Sequence, residues 1–199
     1  MKNLCGVGAA MITPFKSNGE CDMEALGRML DYVIDGGTDY IVALGTTAET
    51  PTLSADEKRQ ILDFTRECVA GRTPIVVGAG GNNTAELIRH IQTMDLDGIS
   101  AILSVTPYYN KPSQEGLYLH YKAVAEASPL PIILYNVPGR TGVNMTAETT
   151  CRLATDCPNI VAVKEAAGKI DQIDQIIKNR PKDFLVLSGD DGMTVDVMR

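Results

Sequence analysis

Short apolar runs alternate with longer amphipathic runs along the chain. The apolar runs are rich in valine and isoleucine and end at glycine, proline or polar residues, which is the pattern of buried strands. These runs cover residues 6–15, 40–47, 74–81, 99–109, 131–138, 160–167 and 184–191. The stretches between them, such as DMEALGRMLDYVIDGG and SADEKRQILDFTRECVAG, have the spacing of amphipathic helices.

Helix boundaries are marked by capping residues. Ser54 followed three residues later by Glu57 predicts a capping box at a helix start. Gly36, Gly37 and Gly71 stand where helices are expected to end. Seven predicted strands with six intervening helices imply βαβ units and a parallel sheet, and the nearly continuous apolar strands imply that both faces of this sheet are covered.

Two α/β folds fit this alternation, an open doubly wound sheet and a (β/α)8 TIM barrel. A dinucleotide-binding doubly wound sheet would carry G-x-G-x-x-G after its first strand, where this chain has TPFKSNGE. The GAGGNN segment lacks the third glycine and follows the third predicted strand. The pattern therefore favours the barrel.

Length bears on the number of strands that the chain can supply. A barrel of this kind usually takes about 250 residues, whereas this sequence has 199 residues and shows no eighth strand before Arg199. We therefore expect one (β/α) barrel domain over residues 1–199, represented through strand seven, and a C-terminal truncation. The alternative is an edge left open between strands seven and one, which would be an assembly liability.

Composition excludes several function classes. The chain has 18 basic and 25 acidic residues, a net charge of −7, and no cluster of positive residues, so a nucleic-acid or anionic-membrane surface is not expected. Five scattered cysteines and two histidines make a zinc site improbable. Without a signal-peptide pattern or an apolar run of about 18 residues, we expect a reduced cytoplasmic protein.

Polar side chains collect where the predicted strands end, which is where barrel enzymes place their chemistry. The residues concerned are Thr46, Thr47, Glu49, Tyr108, Tyr109, Asn110, Tyr135, Asn136, Arg140, Lys164, Glu165 and the SGDD segment. The set contains a lysine, three tyrosines, two threonines and an arginine, without histidine or a typical set of metal ligands.

Lys164 ends an apolar strand, and this set predicts an amine nucleophile that attacks a carbonyl. An ordinary lysine, with a pKa of about 10.4, is neutral in roughly one molecule in 2,500 at pH 7. Apolar surroundings lower that pKa. The resulting iminium is itself an electron sink, so no cofactor or metal is required. Tyr135 lies at a similar level on the neighbouring predicted strand, about 4.8 Å away, and its hydroxyl can donate and accept a proton.

Each residue also has a simpler interpretation. A strand-end lysine is commonly a side chain whose stem packs while its amine reaches water. Asp190 and Asp191 are expected to cap a helix rather than to bind a metal. His90 and His120 lie on helical stretches and are expected at the surface. The coincidence of so many polar residues at the same end of successive strands favours a catalytic site.

These motifs resemble those of the pyruvate-dependent class I aldolase and lyase family, in its dihydrodipicolinate synthase branch. The resemblance covers residues 3–199 and rests on GTTAE, TPYYNKPSQEGLYLHY, YNVPGRTG, VAVKEAAG and LSGDD in this order. It implies condensation of pyruvate with L-aspartate 4-semialdehyde to 4-hydroxy-tetrahydrodipicolinate, in lysine and diaminopimelate biosynthesis. It implies no cofactor.

The resemblance also assigns catalytic roles. Lys164 resembles the imine-forming lysine, Tyr135 the proton-transferring tyrosine, and Thr46 and Tyr109 its relay partners. In the family that second tyrosine comes from a neighbouring subunit, which implies a homotetramer built as a dimer of dimers.

Substrate contacts are assigned in the same way. Thr47 would hold the pyruvate carboxylate, Arg140 the carboxylate of the semialdehyde, and the backbone carbonyl of Gly189 would line the site. Ala48 stands where the family usually has glycine, and it should be tolerated if its φ is negative.

A lysine-feedback site is matched only in part. Asn82, Glu86 and Tyr108 fit it, whereas Ala55 and Lys58 replace the histidines of inhibited relatives.

Two other functions compete with the synthase. One is another pyruvate-dependent lyase, acting on N-acetylneuraminate or a 2-keto-3-deoxy sugar acid, which would share Lys164 and Tyr135. Arg140 argues against it, since a sugar-acid lyase needs hydroxyl-binding groups there. The other is a non-catalytic truncated barrel that serves as a binding or assembly module.

Overall fold

The computed structural model describes residues 4–199, and within this range the chain divides into two compact units. The first comprises the described residues up to Gly78 together with Leu96–Ala101, and the second comprises Ala79–Asp95 and Ile102–Arg199. Strand β4 (Ile99–Val105) begins in the first and ends in the second.

The first unit alternates strands and helices. Its elements are β1 (Gly8–Ala10), α1 (Met23–Asp35), β2 (Tyr40–Ala43), α2 (Ala55–Val69) and β3 (Ile75–Gly78). The strands pair in parallel, β1 with β2 and β2 with β3. Leu26 and Leu30 of α1 and Ile61 and Leu62 of α2 are buried, as the helical spacing of these apolar residues requires.

Helix α2 begins and ends as the sequence predicts. The Ser54 side chain accepts from the Glu57 backbone N–H while the Glu57 carboxylate accepts from that of Ser54, so the predicted capping box is confirmed. Ala70 then adopts a left-handed conformation, with φ of 47°, directly before Gly71.

The second unit continues the alternation. It contains α3 (Thr84–Thr93), the end of β4, α4 (Gln114–Ala127), β5 (Ile132–Asn136), α5 (Pro138–Thr141), α6 (Ala147–Asp156), β6 (Ile160–Glu165), α7 (Ile170–Asn179), β7 (Leu185–Ser188) and α8 (Thr194–Met198). Neighbouring strands from β4 to β7 again pair in parallel. Within each unit, strands adjacent in the sequence are adjacent in the sheet, which is the order of a barrel rather than of a sheet with a switch point.

The structure corrects three details of the sequence prediction. Every predicted strand is present but shorter, and 6–15 shrinks to Gly8–Ala10. Two helices, α5 and α6, lie between β5 and β6, so seven α-helices rather than six intervene between the described strands. His90 is exposed as expected, but the surface prediction for His120 is wrong because this side chain is buried on α4.

The described residues contain neither a membrane-spanning helix nor a group of side chains that could bind a metal. Within 4–199, no helix is long and apolar enough to span a membrane. In the same range no three His, Cys, Asp or Glu side chains group in a way that could hold a metal ion. The five cysteines are free thiols.

Candidate active site

Lys164 lies near the carboxyl end of β6, a strand otherwise made of buried residues. Its side chain is half-buried, and this burial lowers the pKa of its amine, whereas the carboxylate of Asp191 favours the ammonium form and opposes the shift. A depressed pKa increases the neutral fraction at a given pH, and only the neutral amine is a nucleophile. The physical condition expected of an amine nucleophile is therefore present.

Tyr135 is the register partner of Lys164 on β5. Its side chain is buried, and the Lys164 Nζ lies 4.7 Å from the centroid of its ring. The predicted adjacency of these two residues is confirmed, and a phenol close to an amine can shuttle protons to and from groups attached to that amine.

Gly189 follows β7 and packs directly against the lysine. A Cβ on Gly189 would lie 2.9 Å from both Cε and Cγ of Lys164 and 3.0 Å from the Cβ of Ala166. Its backbone N–H donates to the carbonyl of Glu165 at 2.7 Å. The missing side chain is thus what leaves room for the lysine stem.

Glu165 had no role assigned from the sequence, yet it is the most deeply buried ionisable side chain beside the candidate nucleophile, at 1% exposure. Its carboxylate accepts from the Asn136 side-chain amide, from the Gln172 side-chain amide and from the Ala167 backbone N–H. Burial raises the pKa of Glu165 above its usual value, although these hydrogen bonds lower it in part. Strand alternation was the signal available in the sequence, because a residue next to Lys164 must face the opposite side, under the helices.

In the first unit, Thr46 and Thr47 occupy a tightly held turn. Leu44 after β2 has φ of 53°, and a 3₁₀-helix then covers Thr46–Ala48. The Thr50 hydroxyl donates to the carbonyls of Leu44 and Gly45 at 2.8 and 2.9 Å, and stabilises the turn. Thr46 is half-buried and Thr47 is exposed.

Ala48 fits this turn without strain. It lies inside the 3₁₀-helix, where φ is negative, so a Cβ is tolerated. Its carbonyl accepts from the buried Thr13 hydroxyl at 2.8 Å. The left-handed residue of the turn is instead Glu49, with φ of 55°.

Other predicted site residues lie at the surface of the second unit. Tyr109 is 87% exposed with φ of 70°, and Tyr108 is 39% exposed. Arg140 is exposed on the short helix α5. The structure therefore does not bury Tyr109 against Tyr135 within this chain.

The residues of the expected feedback site are held by local contacts. The Asn82 carbonyl accepts from the Asn110 side chain at 3.0 Å, and Glu86 pairs with Arg89 at 2.7 Å. The predicted capping role of Asp190 is confirmed, since its carboxylate accepts from the Gly192 backbone N–H at 3.1 Å.

Parallel strands in sequential order, together with a half-buried lysine beside a tyrosine at the strand ends, define a (β/α) barrel with a candidate amine nucleophile. The model of the Dihydrodipicolinate synthetase family matches residues 3–199, so the chain belongs to this family.

The relatives agree in sequence and in fold. The chain is 60% identical over 196 residues to the 4-hydroxy-tetrahydrodipicolinate synthase of Parabacteroides distasonis, covering 98% of this chain and 66% of that protein. A structure described as a monomeric dihydrodipicolinate synthase variant superposes with a TM-score of 0.95 at 44% identity, covering 99% and 66% of the two chains. The Acinetobacter baumannii dihydrodipicolinate synthase complexed with pyruvate gives 0.93 at 44% identity, covering 97% and 66%.

These similarities settle the fold class. The predicted (β/α)8 barrel fold, represented through strand seven, is confirmed, as is the family resemblance. The chain spans about two thirds of the length of the curated relatives it matches.

Proposed function

We propose that this chain carries the Schiff-base site of a 4-hydroxy-tetrahydrodipicolinate synthase, which condenses pyruvate with L-aspartate 4-semialdehyde in lysine and diaminopimelate biosynthesis. The observation that carries the proposal is the half-buried Lys164, whose pKa is lowered by burial and whose amine lies 4.7 Å from the ring of Tyr135. The similarity to a relative that is complexed with pyruvate supports the choice of the first substrate.

The chemistry begins with the neutral amine of Lys164. The amine attacks the ketone carbon of pyruvate, and loss of water gives an iminium. This cation withdraws electrons from the adjacent methyl carbon, so that a proton leaves and an enamine forms, whose carbon attacks the aldehyde of the second substrate. In this proposal the hydroxyl of Tyr135 donates and accepts the protons of these steps.

The remaining assignments follow the family resemblance. Thr46 and Tyr109 complete the proton relay, and Thr47 holds the pyruvate carboxylate. Arg140 binds the second carboxylate through its planar fork of donors, and the Gly189 carbonyl lines the site.

We further propose a homotetramer, built as a dimer of dimers, that acts in the cytoplasm without a cofactor. The exposed ring of Tyr109 supports an assembly in which it reaches a neighbouring subunit. Lysine feedback through Asn82, Glu86 and Tyr108 stays a prediction, and turnover that does not change in millimolar lysine would contradict it.

The test is borohydride trapping with pyruvate, followed by intact mass and peptide mapping. We expect one reduced pyruvate adduct per chain, confined to Lys164 and absent from Lys164→Ala. Lys178→Ala, which removes an exposed lysine paired with Asp174, serves as the control and should be labelled like the wild type. A folded wild-type chain without an adduct would overturn the proposal.

A further inference from the structure

Two adjacent residue pairs on β5 and β6 face opposite sides of the sheet. Tyr135 is in register with Lys164, and the next residues, Asn136 and Glu165, are in register with each other. Since side chains alternate along a strand, the first pair occupies one face and the second pair occupies the other. The Asn136–Glu165 pair therefore lies directly behind the candidate reacting groups.

The side chains of Asn136 and Glu165 form more hydrogen bonds than packing in the core alone requires. Asn136 is fully buried, and its amide nitrogen lies 3.1 Å from each oxygen of the Glu165 carboxylate. The Ala167 N–H donates to the same carboxylate at 2.8 Å and Gln172 donates at 3.0 Å. Because these partners are all donors, they favour the ionised carboxylate.

The cluster continues into α7 and into the segment between α5 and α6. The Asn144 side-chain amide donates to the Gln172 side-chain oxygen at 2.8 Å, and the Gln172 amide donates to the Asn144 side-chain oxygen at 3.3 Å. The Met145 N–H donates to the Asn136 side-chain oxygen at 3.0 Å. The ends of β5 and β6 are thereby joined to each other and to the start of α7.

Maximal stability does not explain this cluster. Burying an ionised carboxylate carries a desolvation cost, and well-packed apolar residues of similar volume are often at least as stabilising. A fully satisfied polar network does, however, hold its members in one geometry, and directional bonds do this better than apolar contacts.

We propose that Glu165, with Asn136, Gln172 and Asn144, is a positioning cluster that fixes the carboxyl ends of β5 and β6, and with them the relative placement of Tyr135 and Lys164. The inference rests on the proposed function for its kinetic consequence. Glu165 acts through the backbone, so it is a positioning residue and not a catalytic one.

The experiment compares Glu165→Gln with Tyr118→Phe. The control removes a 2.9 Å hydrogen bond from Tyr118 to Asp156, between α4 and α6 of the same unit, and leaves the cluster intact. We expect Glu165→Gln to slow trapping of pyruvate on Lys164 by about tenfold or more, because small displacements of reacting groups have large effects on rate. The pyruvate concentration for half-saturation should stay close to the wild-type value, because binding in the ground state is retained.

A second readout does not depend on pyruvate. The rate at which acetic anhydride modifies Lys164 is followed against pH by peptide mapping. Loosening of the β6 end admits water, which relieves the burial that lowers the pKa of Lys164, so the midpoint should move to higher pH in Glu165→Gln but not in Tyr118→Phe. The groups that face the amine, Tyr135 and Asp191, are unchanged in both variants.

Each result has one meaning. The positioning role would be overturned if folded Glu165→Gln trapped pyruvate at the wild-type rate and kept the wild-type pH midpoint of Lys164 modification. It would also be overturned if Tyr118→Phe changed both quantities as much as Glu165→Gln does. The proposed function alone would be overturned if the wild-type chain formed no adduct with pyruvate while the Lys164 midpoint still lay at higher pH in Glu165→Gln than in the wild type. If Glu165→Gln does not fold, Gln172→Met decides, because it removes one donor near the surface and should give the same shifts in smaller measure.

Discussion

At the scale of single residues, the site depends on a charged side chain held where the surroundings disfavour its charge. Lys164 interrupts a strand whose other residues are buried. The strand places its stem between Tyr135 and the bare backbone of Gly189. The absence of a side chain at Gly189 is therefore as much a part of the site as the amine itself.

This packing predicts the effect of Gly189→Ala. The new methyl group would lie 2.9 Å from two carbons of Lys164, and the flexible lysine is the group that must move. We expect the rate of pyruvate trapping to fall by about tenfold or more. The urea concentration at the midpoint of unfolding should change little, because only the lysine side chain has to move. Gly81→Ala is the matched control, because no atom lies within 4 Å of its added carbon. Wild-type trapping in a folded Gly189→Ala chain would contradict the packing argument.

At the scale of elements, α3 and α4 meet at a buried histidine. His120 Nδ1 lies 2.9 Å from the Thr84 hydroxyl, and burial lowers the pKa of His120 to about 4. In the unfolded chain a histidine titrates near 6.5. The folded form therefore excludes a proton that the unfolded form binds, and this contribution to stability is complete above pH 6.5 and is lost as the pH falls toward 4.

The corresponding prediction concerns acid stability. Between pH 6.5 and 4 the free energy of unfolding should fall by up to about 3 kcal/mol through His120 alone, at 1.36 kcal/mol per pKa unit. The variant His120→Asn, whose amide can replace Nδ1 without titrating, should lose this part of the pH dependence in urea unfolding. His90→Gln on the exposed part of α3 should retain it. Identical slopes in wild type and His120→Asn would refute the assignment.

The elements differ in how far the sequence could predict them. Runs rich in valine and isoleucine located all seven strands, but apolar residues also continue past the ladders. Residues 11–14 follow β1 without regular structure, and Phe15 then forms an isolated antiparallel bridge with Cys21. Hydropathy does not show at which residue the hydrogen bonds to a neighbouring strand end, so the predicted strands were too long.

Two missed features were partly visible in the pattern. His120 lies three residues after Leu117 and four before Val124, both buried, so its helical spacing placed it on the apolar stripe of α4. Glu165 had to face away from Lys164 by alternation. Its partner Gln172, however, is brought to it by the path of the segment between β6 and α7, which residue spacing does not determine.

At the scale of the whole molecule, Tyr109 is the residue on which the proposed assembly bears. Its ring is 87% exposed at a left-handed backbone position, although the resemblance assigns it to the proton relay. A solvent-facing ring serves a relay only if a neighbouring subunit provides the rest of the site. Such a contact between copies leaves no periodic pattern in a single sequence, and only the family resemblance predicts it.

We therefore predict that Tyr109→Phe lowers turnover of pyruvate and L-aspartate 4-semialdehyde by about a hundredfold or more, the lower end of the range for loss of a proton-transfer group. Turnover per chain in the wild type should rise with protein concentration as the assembly forms, monitored by sedimentation velocity. Tyr32→Phe, which alters another ring that is 81% exposed, is the control. Unchanged turnover in Tyr109→Phe would remove this residue from the relay.

The pairing of opposite faces on β5 and β6 also bears on how such sequences can change in length. An insertion or deletion of one residue between Ala162 and Lys164, where β6 is in continuous register with β5, would rotate Glu165 into the place of Lys164 and would bury the amine beneath the helices. The same change in the segment after Gly168 would leave both faces as they are. Natural variation in length should thus be confined to the connecting segments, and Tyr135-Asn136 and Lys164-Glu165 should be inherited as intact dipeptides.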